Sequence, residues 1–182
     1  YGLSKKGKIK KELKIDAKNH DWEDLTTDDD GNLYIGDFGN NLSKRKNLAI
    51  LKVAASELES DSLVSIERIS FKYPKQKKFP PKKKQLSFDC EAFFFYNDSL
   101  YLFTKSRVKG DFGRTDLYKI PANRGQHEAT YLDSFTTCDD LECWITSAYI
   151  NSDKNEVVLI THQTNWSFKN SKSDQFFKRD VK

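Results

Sequence analysis

Two short acidic motifs hold the residues most able to do chemistry: Asp21-Trp22-Glu23-Asp24-Leu25 and Asp89-Cys90-Glu91-Ala92-Phe93. Each is followed by further polar residues, Asp37-Phe38-Gly39-Asn40-Asn41 after the first and Lys105 with Arg107 after the second, while His162 follows a third, related run. Carboxylates converging on one point suit a hard cation, and Ca²⁺ takes about six to eight oxygens, so Glu23, Glu91 and Asp37 are the candidate metal ligands. Asn40, Asn41, Lys105, Arg107 and His162 are the candidate ligand-binding residues. Asn40 and Asn41 equally suit a rigid turn, since Gly and Asn tolerate positive φ. The competing reading of the acids is that Glu23 and Asp24 satisfy backbone donors in tightly turned loops. Asp28-Asp29-Asp30-Gly31 looks superficially like a calcium loop, but registering its Gly puts Thr26 where the first acidic ligand belongs, and strands flank it. It reads as a hairpin turn. No GxSxG elbow or other nucleophile motif accompanies His20, His127 or His162.

The elements that must position these residues are strands. Asn32 to Phe38, Leu48 to Val53, Ser65 to Tyr73, Ser99 to Ser106, Thr115 to Ile120 and Glu156 to Thr164 alternate, are rich in β-branched and aromatic residues, and are bounded by Gly, Asp, Asn or Pro. Helical periodicity is confined to short pieces at Ala54 to Ser60 and Asp174 to Lys178. A pair of strands joined by a polar turn recurs three times, beginning at Asp21, Asp89 and Ile145. Two more strand-like segments separate successive copies: Leu48 to Val53 with Ser65 to Tyr73, then Thr115 to Ile120 with Glu128 to Thr137. Four antiparallel strands repeated at a loose period predict an all-β fold, a β-propeller of four-stranded blades, in preference to a sandwich. The expected organisation is a partial propeller over 1–182: one blade over about 19–73, a Lys/Pro connection over 74–88, a second blade over about 89–137 and an incomplete third over about 144–182. In such a blade the start of strand one and the loop from strand two to strand three share one face. That geometry would gather the candidate residues at the mouth of a central channel.

Residues 19–25 with Leu33-Tyr34-Ile35-Gly36-Asp37-Phe38-Gly39-Asn40-Asn41 resemble the first motif of a family of bacterial exported propeller proteins. Phe79-Pro80-Pro81-Lys82-Lys83, Phe88 to Phe94 and Leu100 to Lys105 look like its second motif. Trp144-Ile145-Thr146-Ser147-Ala148 is similar to its third, except that Tyr149 stands where an acidic residue is expected. The resemblance implies a six-bladed propeller that is exported, distantly related to phytase-like or lactonase-like propellers, without an assigned reaction. The function expected is a binding module for a small-molecule or surface ligand, with calcium at the channel mouth as a possible cofactor; the alternative is a Ca²⁺-dependent hydrolase of a phosphoester, lactone or other ester.

Composition narrows the partners. The net charge is +4, but residues 72–84 hold seven lysines and no acid, leaving the remainder at −3. A lysine tract broken by Pro74, Pro80 and Pro81 is an extended solvated connection, so nucleic acid is not an expected partner. No apolar run is long enough for a membrane-spanning helix. With no Met and an opening Tyr1-Gly2-Leu3-Ser4, the expectation is a longer parent that is monomeric when complete. Cys90, Cys138 and Cys143 lack zinc spacing; Cys138 and Cys143 could close a small disulfide loop, although free thiols are the preferred reading.

Overall fold

The computed structural model describes the chain apart from residues 61, 62, 139, 152, 154, 170–175 and 179–182. The N-terminal segment forms an antiparallel pair, β1 (Gly2–Leu3) with β2 (Ile9–Lys11), and then β3 (Lys14–Ile15). The first large sheet begins with β4 (Trp22–Thr27), β5 (Leu33–Asp37) and β6 (Ala49–Val53). β7 (Leu63–Val64) leaves it to pair in parallel with β3, and β8 (Glu67–Lys72) completes the antiparallel order β4-β5-β6-β8. The second sheet holds β9 (Asp89–Tyr96), β10 (Ser99–Lys105) and β11 (Arg114–Pro121). After β12 (Gly125–Glu128), β13 (Thr130–Thr136) closes the order β9-β10-β11-β13. A third sheet has the order β14 (Ile145–Asn151), β15 (Glu156–Thr161), β16 (Asn165–Lys169). The fold is all-β, its sheets are mostly antiparallel and none is closed. The short helical expectations become 3₁₀ turns at Ala55–Glu59 and Phe176–Lys178. Among the described residues no helix is long and apolar enough to cross a membrane.

Each expected hairpin is present. Asn97 and Asp98 both take positive φ, 46° and 54°, which is the two-residue turn whose twist matches the flanking strands. Asp28 closes the longer first turn, its carboxylate accepting from the Asn32 backbone and amide and from the Tyr34 hydroxyl. The Asp28–Gly31 segment is therefore a turn, as its sequence suggests.

The three large sheets stack face to face, with the second in the middle. Tyr34, Phe38, Ile50, Ile69 and Phe71 pack against Phe93, Leu100, Leu102 and Tyr118 between the first two sheets. Ala92, Phe94, Tyr101, Phe103 and Leu117 pack against Ile145, Val157, Leu159 and Phe168 between the second and third. β9 is buried on both faces because it lies in the central layer and touches both β4 and β14. Its Phe93-Phe94-Phe95 run serves both cores by alternation. A third cluster, Ile35, Ala49, Leu51, Val53 and Val64 with Leu13, Ile15 and Leu58 against it, covers the outer face of the first sheet.

Two sequence expectations are corrected. The strand expected over Glu128 to Thr137 forms at Thr130–Thr136 against β11, while its first residue, Glu128, ends a separate strand, Gly125–Glu128, that pairs in parallel with β8 of the first sheet. The chain therefore crosses from the second sheet to the edge of the first and back, and backbone pairing at an otherwise open edge supplies the reason. Cys138 and Cys143 are not free thiols but are joined in a disulfide, and buried Cys90 is the free cysteine. Their Cα atoms lie 5.7 Å apart across the Leu141–Cys143 turn, within the reach of a bridge.

Candidate functional site

One irregularity recurs near the start of the first strand of each large sheet. In β4, Trp22 faces Asp37 and Leu25 faces Ile35, so Glu23 and Asp24 together oppose Gly36. In β9, Cys90 faces Thr104 and Ala92 faces Phe103, leaving Glu91 as the extra residue; in β14, Thr146 is the extra residue between Ile145 and Ser147. A bulge inserts one residue and re-aims the side chains around it. That is how Glu91 comes to stand in a strand whose neighbouring residues are core.

Around these bulges the first two sheets share a charged network. Asp37, fully buried at the end of β5, accepts from the Asp21 backbone at 3.1 Å and from Arg45 at 3.0 Å, and lies 3.0 Å from His20 Nδ1. Arg45 also donates to the Gly39 carbonyl at 2.8 Å, and its backbone N–H donates to Asn40 Oδ1 at 2.9 Å. Asn40 crosses to the second sheet, donating its backbone N–H to Asp89 Oδ1 at 2.7 Å. The other Asp89 oxygen accepts from Arg107 Nε at 2.7 Å, and Arg107 reaches back to Asn41 Oδ1. Lys105 Nζ, on a residue only 7% exposed, lies 2.6 Å from Glu91 Oε1. Gly39 is the contact point: a Cβ there would stand 2.2 Å from Glu23 Oε1 and 2.5 Å from Asp21 Oδ2, so only glycine lets the loop approach these carboxyls.

Burial and crowding reset the acids. Glu23 is pushed up to about 7, first by burial and then by the negative charges of Asp21 and Asp89. Glu91 is raised to about 7 by burial, although its hydrogen bond with Lys105 opposes the shift and the Asp89 charge reinforces it. Asp24 rises to about 6 through burial, offset by hydrogen bonds from the Leu25, Phe93 and Ala148 backbones and from Ser147. Asp24 therefore ties β4 to β9 and to β14, the backbone-satisfying role that its sequence context allowed. Glu23 has a different place, against Asp21 and Gly39.

Of the expected residues, Glu23, Asp37, Asn40, Asn41, Glu91, Lys105 and Arg107 belong to this one network. His162 does not join it; it lies exposed in the turn after β15, and no hydrogen bond or ion pair among the described residues links it to the cluster. The residues missed from sequence are His20, Arg45 and Trp144. Two cations stand over the Trp144 ring, Lys105 Nζ at 4.8 Å and the Arg107 guanidinium at 4.9 Å from its centroid. The Asp-x-Glu repeat itself was a signal for Asp21 and Asp89, whereas nothing local signals a distant tryptophan beneath two cations.

Two of the three carboxylates expected to hold Ca²⁺ are engaged by protein cations. Asp37 faces Arg45 and Glu91 faces Lys105, whereas Glu23 has no cation at ion-pair distance among the described residues. Among the described residues no three His, Cys, Asp or Glu side chains are grouped to hold a metal ion. Next to these pairs stand two carboxyls, Asp21 and Glu23, close together at Gly39, with the Lys105 charge acting on Glu23. Such an arrangement can accept hydrogen bonds, exchange a proton near neutral pH and orient a polar group.

No family model matches the chain and no curated protein matches it. Among solved structures it is similar to RS223-Beta-xylosidase at 13% sequence identity and a TM-score of 0.42, over 87% of this chain and 52% of that one. The chain thus spans about half the length of that β-xylosidase.

Proposed function

We propose that the protein is an exported β-propeller binding module whose three large sheets are blades, and that it binds a polar ligand at the mouth around Glu23 and Glu91. Three observations support the blade reading: the sheets stack face to face, the first strand of each lies at one edge of its sheet, and β9 touches both β4 and β14. Export rests on the sequence resemblance, and a disulfide suits an oxidising compartment.

The observation that carries the binding reading is the shared cluster itself. Two carboxyls raised to about 7 stand side by side with Lys105 and Arg107 where the first sheet meets the second. Keeping such groups partly out of water costs stability, and costs of this kind gather at functional sites. The ligand chemistry follows from what is left open. Lys105 and Arg107 are spent on Glu91 and Asp89, while Asp21 and Glu23 have no cation at ion-pair distance among the described residues. The ligand presents hydrogen-bond donors, hydroxyl or ammonium groups, to those two carboxyls.

A fragment screen followed by carboxyl-carbon NMR tests this reading with amines, polyols, phosphates and carboxylates as probes, and with Ca²⁺ alone. Amines or polyols should shift the Glu23 carboxyl resonance, and Asp21→Asn/Glu23→Gln should remove the binding. Binding only by phosphates and carboxylates, or saturable Ca²⁺ binding lost in the same variant, would overturn it.

A further inference from the structure

The disulfide lies outside the charged cluster, yet the segment that it closes ends on a residue touching both of the cluster's inner cations. Trp144 follows directly on the Leu141–Cys143 turn, which Asp140 caps by accepting from the Glu142 backbone at 3.1 Å. From there the indole reaches to the end of β10. Its Nε1 donates to the Ser106 carbonyl at 2.8 Å, and Ser106 is the residue between Lys105 and Arg107. One hydrogen bond thus anchors the ring to the backbone that carries both cations, which stand 4.8 Å and 4.9 Å from its centroid. Phe112 meets the ring edge-on at 6.0 Å.

The start of β14 is held by its pairing with β15 and by the bridged loop before it. Cys143 is buried, and its carbonyl lies 2.8 Å from the Thr137 hydroxyl, which is also 3.0 Å from the Gly113 carbonyl. The Thr137 backbone donates to that same Gly113 carbonyl at 3.1 Å. A Cβ at Gly113 would stand 1.5 Å from the Cys138 carbonyl oxygen, so the loop is seated flat on a glycine. The bridge connects Cys138, seated on the second sheet, to Cys143, one residue before the tryptophan.

We propose that the Cys138–Cys143 disulfide is a positioning device for the mouth: it locks Trp144 beneath Lys105 and Arg107, and its reduction by a dithiol releases the ring from the two cations. Reduction takes two electrons and two protons from the dithiol, which leaves as its own disulfide, and returns two cysteine thiols to the protein. Cations over an indole face are held by its quadrupole, so an untethered ring leaves the two held by their carboxylates without it. Trp144 is a positioning residue in this scheme; Lys105 and Arg107 face the site. The consequence for ligand affinity rests on the binding-mouth reading, whereas the positions of the ring and cations do not.

The test is NMR on the whole chain, oxidised and then reduced with dithiothreitol, without any ligand. Two signals report: the ring-current displacement of the Lys105 side-chain methylenes, and hydrogen exchange of the Trp144 indole N–H. Reduction should collapse the displacement and speed the indole exchange by about tenfold, the scale of one lost hydrogen bond. Cys138→Ser/Cys143→Ser should reproduce both effects in the absence of dithiothreitol. Trp144→Phe, which keeps a ring but lacks Nε1, should retain part of the displacement. Unchanged Lys105 and indole signals on reduction would overturn the proposal. So would loss of protection throughout the β9 and β10 amides, because the bridge would then hold the fold and not the ring. Both outcomes are separable from failure of the fragment screen.

Discussion

Glu23 and Glu91 carry the most consequential physical property of single residues here, a carboxyl that titrates near neutrality. Both have an ordinary value of 4.5 and are raised to about 7 in the fold. The folded state therefore keeps protons that the unfolded chain releases between those values, so the relative stability they confer is complete below about 4.5 and is lost as pH rises through about 7. Asp24, raised to about 6, acts in the same direction. Thermal unfolding should show a higher Tm at pH 5 than at pH 8, and Glu23→Gln should flatten that rise; a Tm that is higher at pH 8 would contradict the assignment. Glu23 and Glu91 were legible as a pair because they occupy matching places in two hairpins. Their partners were less so. Arg45 and His20 reach Asp37 across a loop, and a sequence shows which residues are charged without showing which charges meet.

Elements explain why the acids meet at all. β9 touches β4 and β14 although the three lie in different sheets, and side chains of β4 make polar links to β9. Asp24 accepts from the Phe93 backbone at 3.3 Å and Thr26 from the Phe95 backbone at 3.4 Å. Asp24→Ala should leave the Phe93 and Ala148 donors without their acceptor and cost about 2 kcal/mol, readable by denaturant titration, with Asp24→Asn costing less. A loss within experimental error for Asp24→Ala would show that these strands are held by their apolar neighbours alone. The hairpins were readable because alternation and turn residues are local signals, as with Asn97-Asp98 and Asp28 to Gly31. The bulges at Glu23, Glu91 and Thr146 were not, since a bulge is a relation between two strands and leaves alternation intact on either side. The parallel crossing of Gly125–Glu128 to β8 escaped for a similar reason: its short polar run, Gly-Gln-His-Glu, contributes backbone groups and no hydrophobic face. Trp144 was visible as part of a motif, but its place under Lys105 and Arg107 depends on a loop whose disulfide the spacing only permitted.

At the scale of the molecule, all-β character followed from aromatic and β-branched alternation, and three large sheets do stack in chain order with the second between the others. The two outer faces differ. The N-terminal segment and Leu58 cover the first sheet, while the third exposes Tyr149 at 61% and Ile160 at 43%. Most depends on the first and second sheets building one mouth together, because the carboxyls assigned to it come from different sheets. If they share a mouth, the Glu23 charge raises the pKa of Glu91 across the boundary. The direct measurement is the carboxyl-carbon NMR titration of Glu91 in the unmodified protein and in Glu23→Gln. A shared mouth predicts a midpoint near 7 that falls when Glu23 loses its charge. A midpoint near 4.5 that is indifferent to Glu23 would contradict it.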